Sequence, residues 1–246
     1  MDESAELAAF FASVSRELLA RPDSGVTFDR IAERAVDVVP ACDFVGITLR
    51  DKGRTRSVAV TAEAAAVCDD LQYEVGEGPC LDAISEDEAY LIEDVATDPR
   101  WPRWGPRAAG AGAGSILSVR LADDRNTLGA LNMYSRKAGA FDSNSVDLGL
   151  VFSTHAATAI SATNLVAGLQ TALQSRHLIG AAQGIVMAQH QVSLEAAFEV
   201  FRCYSNHTNL PLREVARLVV EHSALPLDYG TVVQLDSGDG LAVASD

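Results

Sequence analysis

The residues best suited to chemistry in the first half of the chain lie in one glycine-containing loop and one tryptophan-containing loop. Gly76 and Gly78 impose a tight turn and bring backbone N–H groups close to the thiol of Cys80, a setting in which a thiol can become reactive. Further along, the rings of Trp101 and Trp104 are able to stack on a ligand. We therefore treat these five residues as a candidate ligand pocket. The alternatives are that Cys80 is a small packing residue and that the tryptophans close a hydrophobic core.

No other combination of reactive residues has the spacing of a catalytic or metal site. The cysteines Cys42, Cys68, Cys80 and Cys203 form no C-x-x-C pair, and the run GAGAGS lacks the lysine of a phosphate-binding loop. The histidines are dispersed, and none is paired with a carboxylate at triad or metal spacing: His155, His177, His190, His207 and His222. We predict no catalytic residue, no metal site and no disulfide framework, and the sequence identifies no cofactor.

The charge of the chain, taken as a whole, argues against a polyanionic partner. Its formal net charge is −15 over 246 residues, whereas affinity for nucleic acid depends largely on neutralising phosphates. The distribution weakens this objection, because residues 165–223 contain four arginines and four glutamates, whereas residues 224–246 contain four aspartates and no base. Composition alone therefore does not indicate nucleic acid as a partner.

Hydrophobic periodicity in the first part of the chain predicts helices around a sheet. Apolar residues recur at helical spacing in residues 3–20, and a second helix is predicted from Phe28 to a stop at Pro40. Alternating apolar residues predict strands at residues 43–50, 57–61, 90–95, 115–121 and 128–135. This order of elements is typical of an α+β domain with a central antiparallel sheet flanked by helices.

Residues 143–190 contain no proline, which predicts one helix of uncommon length. The alternative is a break near Gly168 that gives two ordinary helices. An unbroken helix has an apolar seam, and such an exposed stripe needs a partner. The members of the seam are Leu150, Ala157, Ile160, Leu165, Leu169 and Leu173. A second copy of the chain is the simplest partner, so we expect a homodimer.

Two shorter amphipathic helices are predicted after the long one. Ser193 is a good N-cap for the first of them, which is expected to bury Leu194, Phe198 and Phe201. Pro211 suits the first turn of the second, because its fixed φ matches a helical start. Together with the end of the long helix, these elements predict an all-α, three-helix domain.

A resemblance to the GAF domain is carried by the segments EVGEGPCLDAISEDEAYLIEDVATDPRWPRW and GAGSILSVRLADDRNTLGALNMYSRKAGAFDSNSVDLG. The chain looks most like the GAF subgroup found ahead of ANTAR modules, and the resemblance covers roughly residues 25–162. GAF domains bind cyclic nucleotides, haem, tetrapyrroles, metals, small metabolites or nothing detectable. The resemblance therefore implies a sensor domain and leaves its small-molecule ligand unidentified.

A resemblance to the ANTAR domain, the RNA-binding output module of bacterial antiterminators, is carried by LQTALQSRHLIGAAQGIVMAQH and SLEAAFEVFRCYSNHTNLPLREVARLVVE. These segments contain the family patterns S-R-x-x-I-x-x-A-x-G-I-x-M, A-F-x-x-x-R-x-x-S and L-R-x-V-A. The resemblance implies that the polar residues of this module bind RNA: Arg176, Arg202, Asn209, Arg213 and Arg217. The alternative for these residues is a solvated helix face. Many ANTAR sequences have a lysine where this chain has Gln183, so one base of the implied RNA surface is missing.

These resemblances imply a signal-responsive transcription antitermination regulator, not an enzyme, whose dimer binds paired stem-loops in nascent mRNA. One alternative is a regulator that binds double-stranded DNA, since LPLREVARLVVE also fits a recognition helix. A less favoured alternative is a GAF-type methionine-sulfoxide reductase, which uses cysteines catalytically.

The predicted organisation has four parts. Residues 1–24 form an amphipathic N-terminal helix, residues 25–162 the GAF sensor, residues 163–223 the ANTAR domain, and residues 224–246 an acidic tail. No apolar run approaches the roughly 18 to 20 residues that a membrane span needs. We therefore expect a cytoplasmic protein with no membrane partner.

Overall fold

The computed structural model of the chain describes residues 9, 11–16, 24–124 and 126–224. Two compact units follow each other along the chain, Met1–Ala167 and Gly168–Asp246. Residues 11–16 are helical. The rest of the predicted N-terminal helix and almost all of the predicted acidic tail lie outside the described residues.

The first unit is built on a five-stranded sheet with helices on both faces. Its elements in chain order are helix α1 (Ser24–Val38), strands β1 (Phe44–Asp51) and β2 (Arg54–Val60), helices α2 (Glu63–Val75) and α3 (Pro79–Ser85), strand β3 (Ala89–Ile92), helix α4 (Gly105–Gly110), strands β4 (Ser115–Ala122) and β5 (Thr127–Ser135), and the start of helix α5 (Ser143–His190). The strand order is β2-β1-β5-β4-β3, and all neighbours are antiparallel. The predicted α+β class is confirmed.

The β1–β2 hairpin shows how a short sequence fixes this topology. Lys52 and Gly53 have φ angles of 49° and 80°, and positive φ at both central residues is the requirement of the two-residue turn that matches strand twist. Asp51 consequently pairs with Arg54 across the turn. The segment DKGR thus sets the register of the β1–β2 hairpin.

Side-chain alternation gives the sheet two differently filled faces. One face is packed by α1 and α5 over a purely apolar core that includes Val45, Ile47, Val119, Leu131, Met133 and Phe152. The opposite face packs against α2 and α4 through Phe44, Ile116 and Tyr134. In the middle of that second face the residues are polar, and this is where the candidate site of the first unit lies.

Helix α5 is continuous from Ser143 to His190, as predicted. Asp142 caps its start, because the Asp142 Oδ1 accepts the backbone N–H of Ser145 at 2.8 Å. Residues 152–160 contribute to the apolar core beneath α1, so Ala157 and Ile160 of the predicted seam are buried within this chain and are not exposed to a partner. Every side chain of residues 164–174 is exposed or half-exposed.

Among the described residues, α5 is also the one helix long and apolar enough to cross a membrane by length and composition. The expectation that no run reaches such a length is therefore wrong. Residues 148–175 contain no Asp, Glu, Lys or Arg, and Ala, Ser and Thr separate the larger apolar residues. A single such helix is weak evidence for a span, because the core helix of a globular protein meets the same criterion.

The second unit consists of the end of α5 and two further helices, α6 (Leu194–Thr208) and α7 (Leu212–His222). The Ser193 Oγ accepts the backbone N–H of Ala196 at 3.2 Å, which is the predicted N-cap. Asn209 ends α6 in the left-handed region with a φ of 55°. The predicted all-α, three-helix arrangement is confirmed.

The core of this unit differs in one respect from the prediction. Its buried residues are Ala182, Val186, Ala197, Val200, Phe201, Tyr204, Val215, Ala216 and Val219. Phe201 is buried as expected, whereas Leu194 is 51% and Phe198 38% exposed. Because Val200 and Tyr204 join the buried stripe, its centre is rotated away from Leu194 and Phe198.

Candidate functional site

The loop of residues 76–80 is held in place by a side chain of the preceding helix. Gly76 ends α2 with a φ of 70°, and its N–H binds the carbonyl of Gln72. The Gln72 Oε1 accepts the backbone N–H of Cys80 at 2.8 Å. Gly78 has a φ of 149°, and a Cβ there would lie 2.2 Å from the same Oε1. Both glycines therefore serve this fold directly, since one terminates a helix and the other admits Gln72.

The tryptophan loop packs against that glycine loop, so the structure brings the two predicted stretches together. The Trp101 indole N–H donates to the Asp82 carboxylate at 2.7 Å, and the Trp104 indole N–H donates to the Cys68 carbonyl at 2.9 Å. The two rings meet edge to face with centroids 6.4 Å apart. Trp101 is 2% and Trp104 0% exposed. Both rings thus belong to the core between the sheet and helices α2 and α4, and both indole N–H groups are hydrogen-bonded.

Cys80 lies inside the protein beside hydroxyl, amide and carboxyl groups of the sheet face. Its side chain is fully buried. Burial is the largest cause that raises the pKa of its thiol to about 12; the charge of Asp69 also raises this pKa, while hydrogen bonds with Thr48 and Asn132 act to lower it. The thiol is therefore neutral at physiological pH.

A buried polar cluster around Asp69 is the main feature of this site that the sequence did not reveal. The Asp69 carboxylate accepts the hydroxyl of Tyr134 at 2.6 Å and the amide N–H of Asn132 at 2.9 Å. Ser57 donates to it at 3.3 Å. Burial raises the pKa of Asp69 to about 7, although these donors act to lower it. No ion pair to a cation of the described chain compensates the carboxylate.

Strand register explains why Asn132 connects the cluster. It lies in the centre of the sheet, opposite Gly46 on β1 and Ser118 on β4. Ser118 donates to its Oδ1 at 2.6 Å, while its Nδ2 reaches both Asp69 and the Thr48 hydroxyl, the latter at 3.3 Å. The one sequence signal for this site was a polar residue, Asn132, at an inward position of the alternating strand LGALNMYS.

The second unit holds the five residues predicted to bind RNA, and their environments differ. Arg217 is clamped by two carboxylates of its own helix, since it forms ion pairs with Glu214 and with Glu221. These contacts raise the pKa of Arg217, and the hydrogen bond that it donates to Glu214 is the largest cause. Its charge is therefore locally compensated. Arg202 pairs in the same way with Glu199 at 2.6 Å.

The other three residues predicted to bind RNA, Arg176, Asn209 and Arg213, are exposed. Arg176 is the only Asp, Glu, Lys or Arg between Asp147 and Glu195. Arg213 follows the start of α7 and forms no hydrogen bond or ion pair within the described residues. Asn209 forms the left-handed turn between α6 and α7. These guanidinium and amide groups are accessible to a polar partner.

A polar cleft of about 240 Å³ between α5 and α7 brings two of these five residues together. It is lined by Thr171, Gln174, Ser175, Leu178, Arg213, Glu214 and Arg217. We call it the α5–α7 cleft. The structure does not bring Arg202, Asn209 or Arg176 to this lining, and Gln174 and Ser175 are members that the sequence did not single out.

Comparison with protein families assigns both units. Residues 23–161 match the GAF domain and residues 167–220 match the ANTAR domain. None of the curated proteins compared with the chain matches it.

Solved structures with the same fold cover the first unit. The free methionine-R-sulfoxide reductase from Neisseria meningitidis, in complex with its substrate, aligns with a TM-score of 0.53 at 15% identity, over 68% of this chain and 95% of that chain. The GAF domain of an Acinetobacter phosphoenolpyruvate-protein phosphotransferase aligns with a TM-score of 0.52 at 15% identity, over 68% and 98%. The GAF domain of a Coxiella burnetii phosphoenolpyruvate-protein phosphotransferase aligns with a TM-score of 0.52 at 15% identity, over 68% of this chain and 99% of that chain. At these identities the likeness concerns the fold alone.

Proposed function

Because the chain belongs to the GAF domain family and carries an ANTAR domain, we propose that it is a signal-responsive antitermination regulator that binds stem-loops in nascent mRNA. The combination of these domains is typical of regulators rather than enzymes, ANTAR domains bind RNA, and GAF domains can bind small molecules. In this chain α5, α6 and α7 make the RNA contacts.

The observation that best supports the RNA-binding proposal is that Arg213 is exposed and makes no ion pair. In a unit with four arginines and four glutamates, Arg202 and Arg217 are paired with glutamates. Arg213 is exposed at the cleft and makes no ion pair within the described residues. A guanidinium without a direct ion pair is suited to phosphate or to a base edge. Arg176, Arg202, Asn209 and Arg217 complete the proposed RNA-binding set.

We further propose that the protein acts as a homodimer. Leu165, Leu169 and Leu173 are 63%, 62% and 57% exposed and lie one helical turn apart. The surrounding segment 148–175 contains no Asp, Glu, Lys or Arg. A bare helix of this composition exposes apolar area without any charge that would repel a second copy, which favours a parallel or antiparallel pairing of identical helices.

The first unit is proposed to sense the signal through the residues around Gly76, Gly78, Cys80, Trp101 and Trp104. Burial of both rings and of Cys80 means that a ligand would enter by displacing packed side chains. The buried, neutral thiol of Cys80 supports a regulatory role over the reductase alternative, because the thiolate is the nucleophilic form. We propose a cytoplasmic location with no membrane partner, and α5 then acts as a core and pairing helix.

The test is a competition experiment with the full chain at fixed salt. Labelled hairpin RNA with an unpaired loop is bound first and then challenged with unlabelled hairpin RNA or with duplex DNA of the same length. Displacement by RNA at far lower concentration than by DNA is the expected result. Stronger displacement by the duplex would replace the proposal with the DNA-binding alternative.

A further inference from the structure

The α5–α7 cleft combines donors and acceptors in a way that differs from a phosphate cradle. We infer that it holds the edge of one unpaired base of the bound RNA, and that Gln174 on α5 is a specificity-determining residue. This inference rests on the proposed RNA-binding function and assigns a role to a residue outside the predicted RNA-binding set.

The charge of the cleft argues for a base rather than a phosphate. Arg213 and Arg217 line it, but so does Glu214, and Glu221 binds Arg217 from the adjoining turn. Two guanidinium groups are thus balanced by two carboxylates. A phosphate entering the cleft would meet Glu214 as well as Arg213, whereas a neutral base edge meets no such repulsion.

The polar groups of the cleft match the chemistry of a base edge. The amide of Gln174 and the hydroxyl of Ser175 can each donate and accept hydrogen bonds. The guanidinium of Arg213 adds a planar set of donors. The side chains of these three residues make no hydrogen bond or ion pair within the described part of the chain. Amide and guanidinium side chains form bidentate contacts with base edges.

The position of the cleft suits an unstacked base. It lies between two helices, α5 and α7, and Leu178 supplies an apolar surface beside its polar groups. Sequence-specific recognition of RNA mostly uses unpaired loop bases, whose edges are accessible and whose rings pack on side chains. A base in this cleft would place its ring toward Leu178 and its edge toward Gln174 and Arg213.

The experiment selects binders from a pool of RNA hairpins with one fixed stem and a randomised loop. Wild-type protein, Gln174→Ala and the matched control Gln170→Ala are compared, since Gln170 is also exposed on α5 but lies outside the cleft. The expected result is that Gln174→Ala alone loses base preference at one loop position. Its affinity for the best wild-type hairpin should fall roughly 5- to 100-fold, as for the loss of a base-edge contact.

A salt titration separates a base contact from a phosphate contact. Gln174→Ala should keep the wild-type slope of log affinity against log salt, because no phosphate charge is released. Gln174→Glu keeps the shape but removes the donors and adds a carboxylate that repels RNA, so it should lose the same base preference and bind more weakly than the alanine variant. If wild type binds the hairpins and Gln174→Ala retains the base preferences of Gln170→Ala, the inference is wrong while the RNA-binding function stands. If wild type binds no hairpin, the proposed function itself fails.

Discussion

The Asp69 carboxylate lies directly against the Cα of Gly46, so that a Cβ built on Gly46 would sit 2.1 Å from the Asp69 Oδ2. The missing side chain on β1 is what allows a carboxylate from α2 to reach the sheet and meet Asn132. This contact joins the two layers at the centre of the first unit, and it leads to the first prediction.

Gly46→Ala should destabilise the first unit by about 1 to 3 kcal/mol, because the new methyl group must displace a fully hydrogen-bonded carboxylate. Urea unfolding monitored by tryptophan fluorescence measures the change, since both tryptophans lie in the core of this unit. Gly110→Ala is the control, because nothing lies within 4 Å of a Cβ at Gly110. Equal stability of the two variants would contradict the packing described here.

The titration of Asp69 should make the first unit less stable as the pH rises through neutrality. Its pKa is raised from 3.8 to about 7 in the folded protein, so its stabilising contribution is complete below pH 3.8 and is lost as the pH passes through about 7. Between pH 5.5 and pH 8 the loss amounts to roughly 2 kcal/mol. The neighbouring Tyr134 and Cys80 have pKa values raised above neutrality and stay protonated in this range.

Unfolding at both pH values in wild type, Asp69→Asn and Asp70→Asn isolates this contribution. Asp70 is exposed on the same helix and serves as the control, because its charge is the smallest of the causes that shift the pKa of Asp69. The difference between wild type and Asp69→Asn should shrink or change sign between the two pH values, whereas Asp70→Asn should follow wild type. A constant difference for Asp69→Asn would show that its carboxyl does not titrate there.

The proposed pairing of α5 predicts that Leu165→Glu combined with Leu169→Glu weakens the dimer at least ~100-fold, because four carboxylates replace leucines that the dimer interface would bury. Light scattering at micromolar concentration measures the mass. Leu194→Glu, which adds a charge at another exposed leucine, on α6, should leave the dimer intact. A monomeric wild-type protein would refute this pairing.

Removal of the arginines proposed to contact RNA should lower RNA affinity while leaving folding almost unchanged. Arg213→Ala should weaken binding by about 1 to 3 kcal/mol if it contacts a base edge, and by less for a phosphate. Arg202→Ala should have the smaller effect of the two, because Arg202 is already paired with Glu199. Affinity and thermal unfolding are measured at one salt concentration, with Arg34→Ala of α1 as the control. Unchanged affinity in both variants would assign these arginines to a solvated helix face.

Cys80→Ser should leave RNA binding intact, because the thiol is buried and neutral. We expect no reductase activity that depends on this thiol. Free methionine-R-sulfoxide is the substrate to assay, given the reductase of the same fold. Reductase activity in wild type that disappears in Cys80→Ser would overturn the regulatory interpretation.

The sequence predicted the elements and the two domain types because those depend on local patterns. All five predicted strands are present, and Ser193 marks the start of α6 as predicted. The Asp69 cluster was not predicted, because a carboxylate on a helix is usually exposed and because the contact of Asp69 with Asn132 joins residues that are distant in the chain. The ion pair of Arg217 with Glu221 could be predicted in part, because the two residues lie one helical turn apart. The α5–α7 cleft could not be predicted, because it depends on how two helices pack.

The unequal burial of the four thiols has a practical consequence for spectroscopy. Cys42, Cys68 and Cys80 are buried, and burial raises the pKa of each to about 12, while Cys203 on α6 is only half-buried. A maleimide dye added to the folded protein should therefore label α6 alone, without any engineered cysteine. The natural chain thus offers a fluorescent reporter on the proposed RNA-binding unit, and a second labelled site would report that the first unit has opened.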